Sequence, residues 1–185
     1  MIVRAATPSD IPAIARVHVD TWRTTYQGIM PDRLLANLSY EKRERSWQEI
    51  INHASEDSNF IYVAEDDSGQ MVGFANGGVE RTGDPAYRGE LYAIYILKNH
   101  QNKGIGRELV RVVAAQLSRI GIDSMLAWVL LNNPACRFYE MLGGQRIHER
   151  EIESGKTKLV EIAYGWKDTS NLQQFQIRNE FTPFQ

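Results

Sequence analysis

The chain has 185 residues, 43% hydrophobic and 24% charged, with 21 basic against 23 acidic side chains for a formal net charge of -2. This length and apolar content suit one domain that buries a continuous core without metal or disulfide staples, and the near-neutral balance offers no bulk attraction for nucleic acid. Cys136 is the single cysteine, which excludes an intramolecular disulfide framework and a cysteine metal cluster. No apolar run approaches the ~20 residues of a membrane span, and "MIVRAATPSD" lacks the features of a signal peptide, so a cytoplasmic protein with no membrane partner is expected.

In chain order, "MIVRAA" alternates as a short strand, and "TPSDIPAIARVHVDTW" offers turn and capping residues before a helix over about residues 11–24. "SYEKRERSWQEIINHA" predicts a charged helix capped by Ser39, with Trp47, Ile50 and Ile51 on its apolar side. "NFIYVAED" and "SGQMVGFANGGVE" read as a hairpin turning at residues 66–69, with a bulge or bend expected near Gly77 and Gly78. "GELYAIYIL" is the most apolar strand, expected at the sheet centre and buried on both faces. From Gly104, apolar residues recur every three or four positions in a helix ending near Gly121. The strand "SMLAWVLL" follows, then the helix "NPACRFYEML" with Asn133 as N-cap and Pro134 at its first position. "GGQRIHEREIESGKTKLVEIAYGW" closes a domain of residues 1–166 as a hairpin turning at residues 153–156, and residues 167–185 form a polar tail.

"NHQNKGIGRE" links the apolar strand to the long helix, an arrangement that presents unpaired backbone N–H groups and the positive end of the helix dipole to an anion. It is not a triphosphate loop, because Lys103 precedes Gly104 and no hydroxyl follows. It is not a dinucleotide fingerprint either, because Leu109 stands where the third glycine belongs. The spacing Gln101-x-x-Gly104-x-Gly106 instead resembles the acetyl-CoA pyrophosphate loop of the GCN5-related N-acetyltransferase (GNAT) family. "NNPACRFYEMLGG" resembles that family's second cofactor motif, with Asn132, Ala135, Phe138, Tyr139, Glu140 and Gly143 matching and Gly144 departing where the family usually has phenylalanine. The resemblance spans roughly residues 1–166. It implies an α/β (α+β) fold, with a central mixed, mostly antiparallel sheet of six to seven strands flanked by helices and splayed between its two central strands. It also implies acetyl transfer from acetyl-CoA to a primary amine by direct attack in a ternary complex, with no metal.

Such chemistry needs a base for the ammonium, a donor for the oxyanion and an acid for the departing thiolate. The second motif makes Tyr139 the acid, or else a phenol that merely bonds the cofactor. Glu90, eleven residues before Gln101, stands at the offset of the glutamate base in histone-type members; the alternative is a solvated carboxylate at a strand start. Strand alternation puts Glu90, Tyr92, Ile94 and Ile96 on one face. Ala127 stands five residues before Asn132, where ribosomal-protein N-terminal acetyltransferases of the family keep a glutamate, which argues against their specific mechanism. The resemblance assigns the pantetheine arm and the oxyanion donor to the backbone of Ile94, Tyr95 and Ile96. It assigns the pyrophosphate to Gln101, Asn102, Lys103, Gly104, Ile105, Gly106 and Arg107, and further cofactor contacts to Asn132, Ala135 and Phe138. Asn132 is equally a helix cap, and Cys136 reads as a small buried hydrophobe. Trp22, Tyr26 and Tyr92, with His18 and Asp20 nearby, either shape an acceptor pocket or make core contacts. Aromatic and acidic residues together suit a small-molecule amine, polyamine-like or another amino compound. A protein or peptide acetyltransferase and a non-catalytic acyl-CoA module are the alternatives, and the closing hairpin and tail are candidate homodimer surfaces.

Overall fold

The computed structural model describes residues 1–54, 58–154 and 157–174. Its elements in chain order are β1 (Ile2–Ala5), α1 (Ile11–Thr25), α2 (Asp32–Ala36), α3 (Tyr40–Asn52), β2 (Asn59–Glu65), β3 (Met71–Val79), β4 (Gly89–Ile96), α4 (Ile105–Arg119), β5 (Met125–Leu130), α5 (Ala135–Met141), β6 (Gln145–Ser154), β7 (Thr157–Trp166) and α6 (Ser170–Gln173). The strands form one seven-stranded sheet in the order β1-β2-β3-β4-β5-β7-β6. Every pairing is antiparallel except β4 with β5, which is parallel. Among the described residues, no helix is long and apolar enough to cross a membrane.

The apolar stripes of the helices create a core on each face. On one face Ile11, Ile14, Ala15 and Val17 of α1 pack with Trp47 of α3 on Ile61, Val63 and Phe74. On the other, Ile105, Leu109, Val113 and Leu117 of α4 join Tyr139 of α5 on Val72, Leu91, Met125, Ala127 and Val129. Ser39 caps α3, its side chain accepting from the Lys42 N–H at 3.3 Å. Asn133 caps α5, its Oδ1 accepting from the Ala135 N–H at 2.9 Å, while Pro134 already has helical dihedrals.

Two features of β4 differ from the sequence reading. Ala93 pairs with Asn76 but Leu91 with Gly77, so Tyr92 is an extra residue that bulges the strand. A bulge reverses the alternation: Leu91, Ile94 and Ile96 pack toward α4, whereas Ala93 and Tyr95 pack toward α1 and α3. Ile94 and Ile96 therefore do not share a face with Glu90. Nor is β4 buried on both faces, because from Tyr92 onward it is half-buried. The cause is the neighbour: β5 pairs with it only at Gly89↔Met125 and Glu90↔Leu126, and beyond that the strands part.

The ordered chain also continues past Trp166. The Thr169 N–H donates to the Asp123 carbonyl at 2.8 Å, and Leu172 of α6 is 1% exposed within the α4-side core. Residues 175–185 of the polar tail lie outside the described residues, as do Gly155 and Lys156 of the closing turn, which Ser154 and Thr157 bracket. A Cβ on Gly144 would lie 2.7 Å from Cζ2 of Trp166, whose indole N–H donates to the Leu142 carbonyl. Trp166 thus occupies the space a phenylalanine at this position would need.

Candidate active site

The parting of β4 and β5 opens a cleft, and the elements around its rim bring the candidate residues together. At one end lies the start of α4. Gly104 precedes it with φ at +82°, a left-handed conformation that costs a glycine little, and Asn102 is also left-handed. The first intrahelical bond runs from the Glu108 N–H to the Gly104 carbonyl, so the amides of Lys103, Gly104, Ile105 and Gly106 precede it. A Cβ on Gly106 would stand 3.1 Å from Cδ1 of Ile96 and from the Phe138 ring, so bare backbone is what lets the helix start sit against β4 and α5. Gln101 ties the loop to the strand by donating to the Ile96 carbonyl at 3.0 Å. Lys103 and Arg107 are exposed beside this donor array. A pyrophosphate fits such a cradle, in which backbone donors and the helix dipole converge.

At the middle of the cleft, phenols converge from three elements. Tyr139 is 5% exposed, with the rings of Phe138, Tyr164 and Trp166 at 5.4, 5.7 and 6.1 Å. Burial raises its pKa well above the usual phenol value, and the neighbouring Tyr95 phenol adds to the effect. Burial raises Tyr26 in the same way, reinforced by Tyr95 and Tyr139 and opposed by the Asn133 side chain. Tyr95 is raised by burial too, with Trp22 and Tyr26 opposing the shift. All three therefore stay protonated as hydrogen-bond donors at neutral pH. Trp22 and Tyr26 contact each other with ring centroids 4.8 Å apart and planes tilted by 55°, and both lie against Tyr95 of this cluster. Behind it, Nδ1 of His18 accepts from the Trp47 indole at 3.1 Å, which assigns the proton to Nε2. The His18 ring lies 4.7 Å from that of Tyr95, and burial lowers its pKa to about 3, keeping it neutral.

Glu90 is not a solvated carboxylate. It is 3% exposed and held by Arg81, through Nε at 3.0 Å, Nη2 at 2.5 Å and the backbone N–H at 3.3 Å. The same guanidinium lies 4.1 Å from the Tyr92 ring centroid, and the Tyr92 hydroxyl donates to the Val79 carbonyl. Burial and the Glu90 charge push the Tyr92 pKa up to about 12. Asn132 is exposed, and Asn133 does the capping; Ala135 and Phe138 are half-buried along α5. Cys136 turns its thiol to the Leu130 and Leu131 carbonyls.

Sequence reasoning missed Arg81 and Glu161. Glu161 of β7 stands opposite Leu130, is paired with Arg150 at 2.9 Å, and its charge reaches Tyr26 and Tyr95. Nothing local distinguishes it from its neighbours; only the β5–β7 register brings it to the cleft.

Comparison with known proteins agrees with this architecture. The chain is 40% identical over 171 residues to the uncharacterized N-acetyltransferase YuaI of Bacillus subtilis strain 168, covering 92% of this chain and 95% of the relative. Its fold matches a ribosomal-protein-alanine N-acetyltransferase from Brucella melitensis with a TM-score of 0.68 at 23% identity, over 90% of this chain and 99% of that one. It matches the PaiA N-acetyltransferase of Thermoplasma acidophilum, solved with coenzyme A, with a TM-score of 0.67 at 18% identity, over 87% and 96%. Residues 19–143 match the model of the acetyltransferase (GNAT) family, and the chain therefore belongs to that family of acetyl-CoA-dependent acyltransferases.

Proposed function

We propose that this acetyltransferase moves the acetyl group of acetyl-CoA to the primary amine of a small molecule, by direct attack in a ternary complex. The observation that carries the reading is the convergence of three protonated phenols, Tyr139 buried and Tyr26 and Tyr95 half-buried, at a cleft whose other end is an anion-ready helix start. Residues 101–107 hold the pyrophosphate, and the unpaired edge of β4 at Ile94, Tyr95 and Ile96 takes the pantetheine arm as an added strand would lie. Asn132, Ala135 and Phe138 complete the cofactor side. Acetyl-CoA supplies an activated thioester.

The nitrogen–carbon bond forms as the carbon–sulfur bond breaks, so one proton must leave the ammonium and one must reach sulfur. Tyr139 delivers the second from its phenol, which remains protonated well into alkaline pH. Backbone N–H groups of the β4 edge meet the charge that grows on the thioester oxygen. Glu90 receives the ammonium proton through water, because Arg81 already engages both of its oxygens. Trp22, Tyr26 and Tyr92 wall the acceptor.

The test is thiol release from acetyl-CoA with a panel of amines, amino acids and peptides. Saturable turnover with free small amines is the expected result. Turnover confined to peptides would replace this reading with a peptide acetyltransferase, and acyl-CoA binding without turnover would replace it with a binding module.

A further inference from the structure

The acceptor side of the cleft carries chemistry that narrows the class of amine. The last paired residues of β4 and β5 are Glu90 and Leu126; Tyr92 and Trp128 each lie two residues further along their strands, past the point where the pairing ends. Met125, Ala127 and Val129 face the α4-side core, so Trp128 lies on the same sheet face as Glu90. Each ring carries a guanidinium, Arg81 at 4.1 Å from the Tyr92 centroid and Arg150 at 3.9 Å from that of Trp128. Each guanidinium is tethered through Nε and Nη2 to one carboxylate, Arg81 to Glu90 and Arg150 to Glu161. Tethering consumes the same edge of both, and the Nη1 edges remain on side chains that are 61% and 43% exposed. Two matched ring–guanidinium–carboxylate units thus flank the mouth of the cleft.

Their hydrogen-bond inventory is one-sided. Both carboxylates are already engaged, whereas the indole nitrogen of Trp128 is buried without an acceptor among the described residues. A buried donor without a partner is costly, so a ligand that brings acceptor atoms is favoured. A protonated polyamine has no acceptor atom, and it would approach between two guanidiniums. A carboxylate satisfies the donor and suits the planar guanidinium edges.

We infer that the acceptor is an amino-acid-like molecule, a primary amine carried with a carboxylate that Arg81 and Arg150 hold at the mouth of the cleft, and that linear polyamines are poor substrates. This rests on the acetyl-transfer reading above and replaces the polyamine expectation. The experiment compares thiol release for amine pairs that differ only by the carboxylate, such as phenylalanine with 2-phenylethylamine, tryptophan with tryptamine, and ornithine with putrescine, extended to the remaining amino acids. The best carboxylated acceptor should exceed its decarboxylated partner by about tenfold or more in kcat/KM, the scale of one charge-assisted hydrogen bond. Arg150→Gln should raise KM for that acceptor by about tenfold while leaving kcat and the decarboxylated partner's KM within about threefold; Arg150→Lys should restore part of the affinity. Decarboxylated amines or polyamines used as well as or better than amino acids would overturn the inference and leave the acetyl-transfer reading standing. No turnover with any free amine would overturn both.

Discussion

Tyr139, Tyr26 and Tyr95 present three phenols to one cleft, and burial gives them a common state. A buried phenol resists ionisation, so Tyr139 keeps the proton that the proposed mechanism assigns to sulfur, and the alkaline limb of kcat is expected to stay flat through pH 9. A pH–rate profile checks this, and an alkaline limb that Tyr139→Phe abolishes would remove the claim. His18 carries the opposite consequence. Its pKa is about 3 in the folded protein against 6.5 unfolded, so between those values the folded state binds fewer protons. Stability is therefore full above pH 6.5 and falls as pH drops, by about 2 kcal/mol at pH 5. Asp10 does not blur this window: hydrogen bonds from Arg4 and Thr7 lower it to about 2, so its contribution is lost only below its ordinary 3.8. Urea unfolding at pH 7 and pH 5 should show the loss in the wild type and a much smaller one in His18→Gln; equal losses would mean that another group titrates.

At the scale of elements, the bulge at Tyr92 and the early end of β4–β5 pairing create the site together. Gly106 makes the junction tight, and Gly106→Val should weaken acetyl-CoA binding by about tenfold, since a branched side chain drives the helix start off Ile96 and Phe138. Titration calorimetry reads this directly. Gly144→Phe, the residue the family resemblance leads one to expect, should destabilise this protein by about 1–3 kcal/mol or more, because Trp166 already fills the space. These elements also mark how far the sequence can be read. Helices α1 and α4 are legible because their apolar residues recur at helical spacing over fifteen residues, and the glycine loop is legible because its context is local. The facing of β4 is not, since one bulged residue inverts every later side chain. The Glu90–Arg81 and Glu161–Arg150 pairs are not either, since the first depends on how the β3–β4 connection folds back over β4 and the second on the β6–β7 register.

At the scale of the whole molecule, one sheet carries two unequal jobs. The strands β1 to β4 with α1 and α3 form a closed layer, whereas β5, β7 and β6 diverge from them and leave the cleft between the halves. Helix α6 helps hold the second half by burying Leu172 against α4, although the residues after Trp166 read as a polar tail. Leu172→Ala should cost about 2–5 kcal/mol, visible in thermal unfolding, without changing acetyl-CoA affinity in the folded protein. The central claim is that the cleft performs acyl transfer with Tyr139 as its acid. Its most direct test is single-turnover thiol release by Tyr139→Phe beside the affinity of the same variant for acetyl-CoA. The account predicts a rate lower by about a hundredfold or more with affinity within about twofold of wild type. An unchanged rate, or a rate loss matched by an equal loss of affinity, would contradict it.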